Sequence, residues 1–244
     1  MIFRKKADVE VPETEPDYQQ LVELTREQLV EAQLRSLRAQ ISPHFIYNSL
    51  NAVAGLIPSD PVRARELLVD FADFIRYSLG TEGDFTTLED ELTAVERYVV
   101  LEQARFGERL QVSLDIAPEL LGLQIPFLSV QPLVENAVRH GMYNSQQEGQ
   151  VFVRAKDSDT YAEITIEDGG VGADPEFMAK VMRGEADSSH VGLRNVDLRL
   201  RQAYGAGHGL QIETEVDAGM NVSMRIPKFK APSRIITPAS GADA

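Results

Sequence analysis

The chain has 244 residues, 43% of them apolar and 25% charged, which is enough for a sizeable core in one or two domains. Its 24 basic and 38 acidic residues leave a formal charge of −14, which argues against an electrostatic grip on nucleic acid or anionic lipid. With no cysteine, disulfides, thiolate catalysis and cysteine-based zinc sites are excluded. No apolar run approaches the roughly 18 residues of a membrane span. The opening MIFRKKADVEVPE also lacks the apolar centre of a signal peptide, so the expected location is cytoplasmic unless the chain is cut from something longer.

Residues 1–17 are charged and proline-bearing and read as a flexible lead-in. The pattern over 18–57 is helical, with one apolar stripe of Leu34, Ile41, Phe45 and Ala52 and a second of Ile46, Leu50, Val53 and Ile57. Within it stands QISPHFIYNSLN (40–51), which puts Pro43 inside the helical pattern. An interior proline removes a backbone bond and costs about 3 kcal/mol, so a local distortion is expected there. Pro58-Ser59-Asp60-Pro61 ends the helix, with Ser59 or Asp60 as the next N-cap. A second helix follows to about residue 79, its apolar face made by Leu67, Leu68, Phe71, Phe74 and Ile75. A hairpin with two apolar faces needs partners, and a second copy is the simplest, giving a dimeric four-helix bundle.

The stretch TTLEDE (86–91) opens a third helix, with Thr86 and Glu89 fitting a capping box and Thr87 and Asp90 a weaker version of it. That helix runs to about residue 106. After Gly107 the texture is α+β: a strand over 110–116, a helix over 129–140, and an antiparallel pair, 151–155 with 161–167. A helix over 191–204 and a closing hairpin of 210–215 with 222–226 complete it, and the Pro/Ser/Ala-rich tail is expected to be disordered. The expected organisation is a lead-in (1–17), a helical dimerisation module (18–106), a sheet-and-helix module (107–228) and a tail (229–244).

Three stretches of the second module carry chemistry: PLVENAVRHG (132–141), EDGGVGAD (167–174) and HVGLRNVDLRL (190–200). Asp168 ends a strand and is followed by Gly169, Gly170 and Gly172. Such glycines let backbone approach a flat ligand, and the carboxylate can accept a hydrogen bond from an exocyclic amine such as that of adenine. Gly192 opens a helix whose free amides can face phosphate oxygens. Asn136 offers an amide oxygen suited to magnesium beside phosphates, with Arg139 near the same helix face to meet a phosphate. His140 and His190 border the same region as phosphate-proximal or structural polar groups. Singly each feature is weak, but their order within about 70 residues makes coincidence improbable.

The three stretches resemble the N, G1 and G2 boxes of the Bergerat ATP-binding fold shared by gyrase, MutL and sensor histidine kinases. LRAQISPHFIYNSLN (37–51) and YVVLEQARFGERL (98–110) make the resemblance specific to the LytS-type sensor histidine kinases, over about 34–227. It implies an N-terminal dimerising hairpin followed by an α/β-sandwich ATP-binding domain. It also implies His44 as phospho-acceptor, Asn136 as magnesium ligand and Asp168 as adenine contact. Gly170, Gly172, Gly192 and Leu193 would line the nucleotide pocket, beneath a lid over about 182–191. Phe45 stands where many histidine kinases place an acid, Pro132 where other Bergerat proteins carry an acid or amide, and Met220 where the family commonly has threonine.

The helical count supports the acceptor. Gln40, His44, Asn48 and Asn51 fall on one polar stripe away from both apolar ones, so His44 is expected to face solvent or a docking domain. Asn48, one turn on, can hold the ring or touch the incoming phosphoryl group, and Glu135 is a candidate base. The expected function is an ATP- and magnesium-dependent histidine autokinase that passes its phosphoryl group to an aspartate of a response regulator. A hinge near 80–110 would let the two modules meet, and a membrane sensor, as a partner or an upstream region, would supply the input. An ATP-hydrolysing switch and a non-catalytic dimeric scaffold are the rival readings.

Overall fold

A computed structural model describes residues 42–80, 83–143, 149–185 and 191–229. The expected lead-in, the first part of the first helix with Leu34, Gln40 and Ile41, and most of the tail lie outside the described residues. Helix α1 (Pro43–Leu56) begins at Pro43 itself, with Ser42 extended at φ −62° and ψ 122°. This corrects the expectation of a proline in a helix interior. A proline in the first turn lacks only an N–H that would have no helical partner, and it pushes the preceding residue out of the helical region.

Phe45, Ser49 and Val53 of α1 are buried, whereas Leu50 and Ile57 of the second stripe remain exposed. Asp60 caps helix α2 (Pro61–Ser78), its side chain accepting from the Arg63 amide at 3.0 Å. Leu67 and Phe74 are buried and Leu68 is exposed. Strand β1 (Phe85–Thr87) was not expected; it pairs antiparallel with β3 (Gln124–Pro126), placing Thr86 opposite Ile125. Because β1 runs on through Thr87 in that pairing, the helix starts at Leu88, and Thr87 is the cap of α3 (Leu88–Phe106), accepting from the Asp90 amide at 3.1 Å. The stronger-looking box of Thr86 with Glu89 is thereby corrected.

Helix α3 packs against both halves of the chain. Its Tyr98 ring lies 5.2 Å from Phe45 and 5.9 Å from Phe74, and those two rings are 5.0 Å apart. On the other side α3 contacts α4 (Gln131–Tyr143). Strands β2 (Leu110–Ile116), β4 (Gly149–Asp157), β5 (Tyr161–Asp168), β6 (Gln211–Thr214) and β7 (Met220–Pro227) form one sheet in the order β2-β4-β5-β7-β6. Only β2 and β4 are parallel, because the chain between them crosses over through β3 and α4; the other pairs are antiparallel.

Alternation puts Val151, Val153, Ala162, Ile164, Ile166, Val222, Met224 and Ile226 on one buried face. Helix α4 packs on β4 and β5, and α6 (Val191–Tyr204) packs on α4, burying Leu193, Val196 and Leu200. The result is a helical hairpin followed by a two-layer α/β sandwich. A further helix, α5 (Pro175–Arg183), was not expected. Its Asp174 cap, first-turn Pro175 and left-handed Gly184 (φ +76°) are all readable start and stop signals. Among the described residues, no helix is long and apolar enough to cross a membrane.

Candidate functional site

The site is built where β5 ends against α4. Alternation along β5 makes every second residue buried, and the last such position is Asp168. A carboxylate therefore sits where the pattern would otherwise place an aliphatic side chain. Asp168 is 6% exposed, and its Oδ1 accepts from the Gly170 amide at 2.9 Å. Burial pushes this carboxyl up to about 6, against the opposing pull of the Gly170 and Met220 amides. Met220 faces Asp168 across the β5–β7 pair, so its contact with the carboxylate comes from backbone, which any residue supplies.

The glycines differ in what requires them. A Cβ on Gly170 would stand 2.7 Å from Asp168 Oδ1 and 3.1 Å from the His140 carbonyl oxygen, so the loop lies directly against the end of α4. Gly172 has φ +59°, and a Cβ there would stand 1.9 Å from the Glu215 carbonyl oxygen. At Gly192 the nearest atom would be Pro132 Cβ at 3.9 Å, so the fold's own packing does not demand glycine there. That position, at the start of the 14-residue helix α6, is exposed and leaves room for a ligand. The side chain of Leu193 is 1% exposed and belongs to the core.

On α4, Asn136 is buried and its Oδ1 accepts from Arg139 Nη2 at 3.2 Å, so these two predicted residues are brought together. His140 is half-buried on the same helix. Glu135 Oε1 accepts from Gln131 Nε2 at 2.7 Å. Burial pushes its carboxyl up to about 7, with the Gln131 hydrogen bond and Arg139 opposing and Glu102 and Glu91 reinforcing. His44 is exposed near the start of α1, and Asn48 Nδ2 lies 3.1 Å from its Nδ1 and 3.3 Å from its Nε2. His190 and half of the expected lid, residues 186–190, lie outside the described residues. Met182 and Arg183, at the start of that span, end α5.

Sequence reasoning passed over two residues that shape the pocket. Gly219 (φ +78°) holds the β6–β7 turn so close that a Cβ would stand 2.1 Å from the Asp168 carbonyl oxygen. Thr214 ties that turn to the glycine loop: its hydroxyl accepts from the Ala173 amide and donates to the Gly219 carbonyl, both at 2.9 Å. The A-G-M run before β7 was a readable signal for the first; nothing local marks the second. A groove between α5 and the edge strand β6, lined by Met178, Met182, Leu210, Ile212 and Thr214, contains none of the predicted site residues.

The arrangement fits an adenine nucleotide with magnesium. A buried acceptor ends a central strand, side-chain-free backbone borders it, an amide oxygen faces the same helix side as an arginine, and a long helix presents its amino end. Two family models match the chain: Histidine kinase over residues 32–110, and Histidine kinase-, DNA gyrase B-, and HSP90-like ATPase over residues 126–230. The sensor histidine kinase YpdA of Escherichia coli (strain K12) is 35% identical over 211 residues, covering 86% of this chain and 37% of that protein. The sensor protein LytS of Staphylococcus saprophyticus is 37% identical over 201 residues, covering 81% of this chain and 34% of that one. The uncharacterized protein YwpD of Bacillus subtilis (strain 168) is 36% identical, with 83% of this chain and 72% of that protein covered. The chain thus spans about a third of the length of the named sensor kinases it matches. With both halves of the chain matched in order by the two family models and by these relatives, the chain belongs to the LytS-type sensor histidine kinase family.

Proposed function

We propose that this chain is an ATP-dependent histidine autokinase that phosphorylates His44 and hands the phosphoryl group to an aspartate of a response-regulator receiver domain. The observation that carries this is one chain holding both an exposed, Asn48-paired histidine on a helix and a buried Asp168 ending the strand on which the helix of the buried Asn136 packs. ATP supplies the phosphoryl group, and Asn136 would hold the magnesium ion that would offset the charge of its phosphates. Asp168 receives the adenine amine, Gly170 and Gly172 let the backbone close on the base, and the α6 amino end with Arg139 meets phosphate oxygens.

In the transfer a neutral imidazole nitrogen of His44 forms the N–P bond as the bond from the γ-phosphorus to the bridging oxygen breaks, and ADP leaves. The ring proton passes to a base. Glu135 is our candidate, because its raised carboxyl exchanges protons near neutral pH. Asn48 steers the ring. The uncovered Leu50, Ile57 and Leu68 of the hairpin support a second copy as the first partner, completing a four-helix bundle. A sensor segment, supplied by a partner or a longer chain, completes the pathway.

The test is incubation with γ-labelled ATP and magnesium, followed by acid and base treatment. An acid-labile, base-stable label that is lost in His44→Gln, with nucleotide affinity retained, is the expected result. A label that persists in His44→Gln would remove His44 as acceptor. ATP turnover with no label would favour the hydrolytic switch.

A further inference from the structure

Four elements meet at the turn joining β3 to α4. Leu128 in that turn is buried at φ +55°, a left-handed conformation that is unfavourable for a branched residue and persists only where its surroundings hold it. Its amide donates to Glu91 Oε1 of α3 at 2.6 Å, and its carbonyl accepts from Arg199 Nη1 of α6 at 2.9 Å. The same Nη1 donates to the Phe127 carbonyl. Glu91 Oε2 accepts from the amides of Val130 at 2.9 Å and Gln131 at 3.2 Å, where α4 begins. A side chain from one helix therefore caps another, with its charge at the positive end of that helix.

Glu91 accepts one more bond, from the Tyr77 hydroxyl at 2.8 Å, and Tyr77 lies in the last turn of α2. Beside it Gln131 Nε2 donates to Ser78 Oγ at 2.9 Å, and the Tyr77 and Phe127 rings are 5.1 Å apart. Tyr77 and Glu91 lie outside the three nucleotide-site motifs. Glu91 is fully buried, and a buried charge network returns little net stability compared with apolar packing. A strained turn held by such a network points to a positional role more than to a stabilising one.

We propose that Glu91 is a positioning residue for the nucleotide site and that Tyr77 makes it responsive to the hairpin. The carboxylate holds the strained turn and seats α4, and with it Asn136, while the Tyr77 hydroxyl ties that seat to the end of α2. The proposal rests on the reading of Asn136 and Asp168 as nucleotide contacts. It makes the α2 end and the nucleotide site one coupled unit: a shift of the hairpin moves the seat, and an occupied site steadies the hairpin.

The test uses the full chain, a fluorescent ATP analogue with magnesium, and hydrogen exchange followed over 70–79 and 127–134. In the unsubstituted protein the analogue should slow exchange over both segments. Tyr77→Phe leaves three amide donors on Glu91, so analogue affinity should stay within about twofold, yet the ligand-induced slowing over 70–79 should fall by at least about half, the Gln131–Ser78 bond and the ring contact with Phe127 remaining. Glu91→Gln turns a donor toward amides that need an acceptor, so affinity should fall by about tenfold or more. Should Glu91→Gln not fold, Tyr77→Phe decides alone. Undiminished slowing over 70–79 in Tyr77→Phe overturns the coupling, and a folded Glu91→Gln protein with unchanged affinity overturns the positioning role. Absence of analogue binding to the unsubstituted chain would overturn the kinase reading instead. The clamp would then be judged without ligand, standing if exchange over 127–134 speeds up in Tyr77→Phe and falling if it does not.

Discussion

Gly219 offers the sharpest test of how the pocket is built. At φ +78° an alanine there enters the left-handed region, at a cost of about 1–2 kcal/mol. Its Cβ would also stand 2.1 Å from the Asp168 carbonyl oxygen, and the obstacle is backbone of a central strand, so relief requires a shift of about 1 Å. Overpacking of this kind adds about 1–3 kcal/mol, for a total of about 2–5 kcal/mol. In a domain of this size that corresponds to a melting point lower by about 5–20 °C. The displaced strand end also carries the Asp168 carboxylate, so affinity for an ATP analogue should fall at the same time. Gly169→Ala is the control one step away, since its Cβ would meet nothing within 4 Å. That variant should melt within about 0.5 kcal/mol of the unsubstituted protein. Parallel thermal melts and analogue titrations check the argument. If the Gly219 and Gly169 variants behave alike, the close approach of the β6–β7 turn to Asp168 is refuted.

Burial raises Asp168 and Glu102 to about 6 and Glu135 to about 7, above their unfolded values near 4. The folded state then binds more protons than the unfolded one across this window, so these groups' stability is complete below about pH 4 and is lost as pH rises through 6 to 7. The urea midpoint should therefore be higher at about pH 5.5 than at about pH 8, with a smaller difference in Glu102→Gln; an unchanged difference would contradict the assignment. Analogue affinity should move the other way, weakening as Asp168 takes up its proton. Thr214→Val removes both hydroxyl bonds and should cost about 1–3 kcal/mol while loosening exchange over 171–174, whereas unaltered exchange there would show that the tie is unimportant. Leu50→Asp or Ile57→Asp should convert the proposed dimer to a monomer by light scattering, and a monomeric unsubstituted chain would exclude that interface.

The features legible in the sequence are those that short-range chemistry specifies. Alternation marked β4, β5 and β7, and it carried Asp168 to the buried face because residue parity in a strand decides the side. The Asp60 cap follows from local turn and cap preferences in the same way. His44 and Asn48 meet because one helical turn separates them.

What the sequence could not disclose depends on partners distant along the chain. Thr86 looked the better cap, but β1 runs on through Thr87 in its pairing with β3, so the helix starts one residue later and Thr87 caps it. Pro43 looked like a break inside a long helix, and only the backbone at Ser42 shows it starting one. Glu91 read as one acid among several in the first turn of α3. It became the cap of α4 only because folding brought the amides of Leu128, Val130 and Gln131 to it across 37 to 40 residues. Local preferences act within a turn or two and are written in neighbouring residues. The desolvation of a carboxylate, the strain at Leu128 and the space denied to a side chain at Gly219 exist only once the layers have packed.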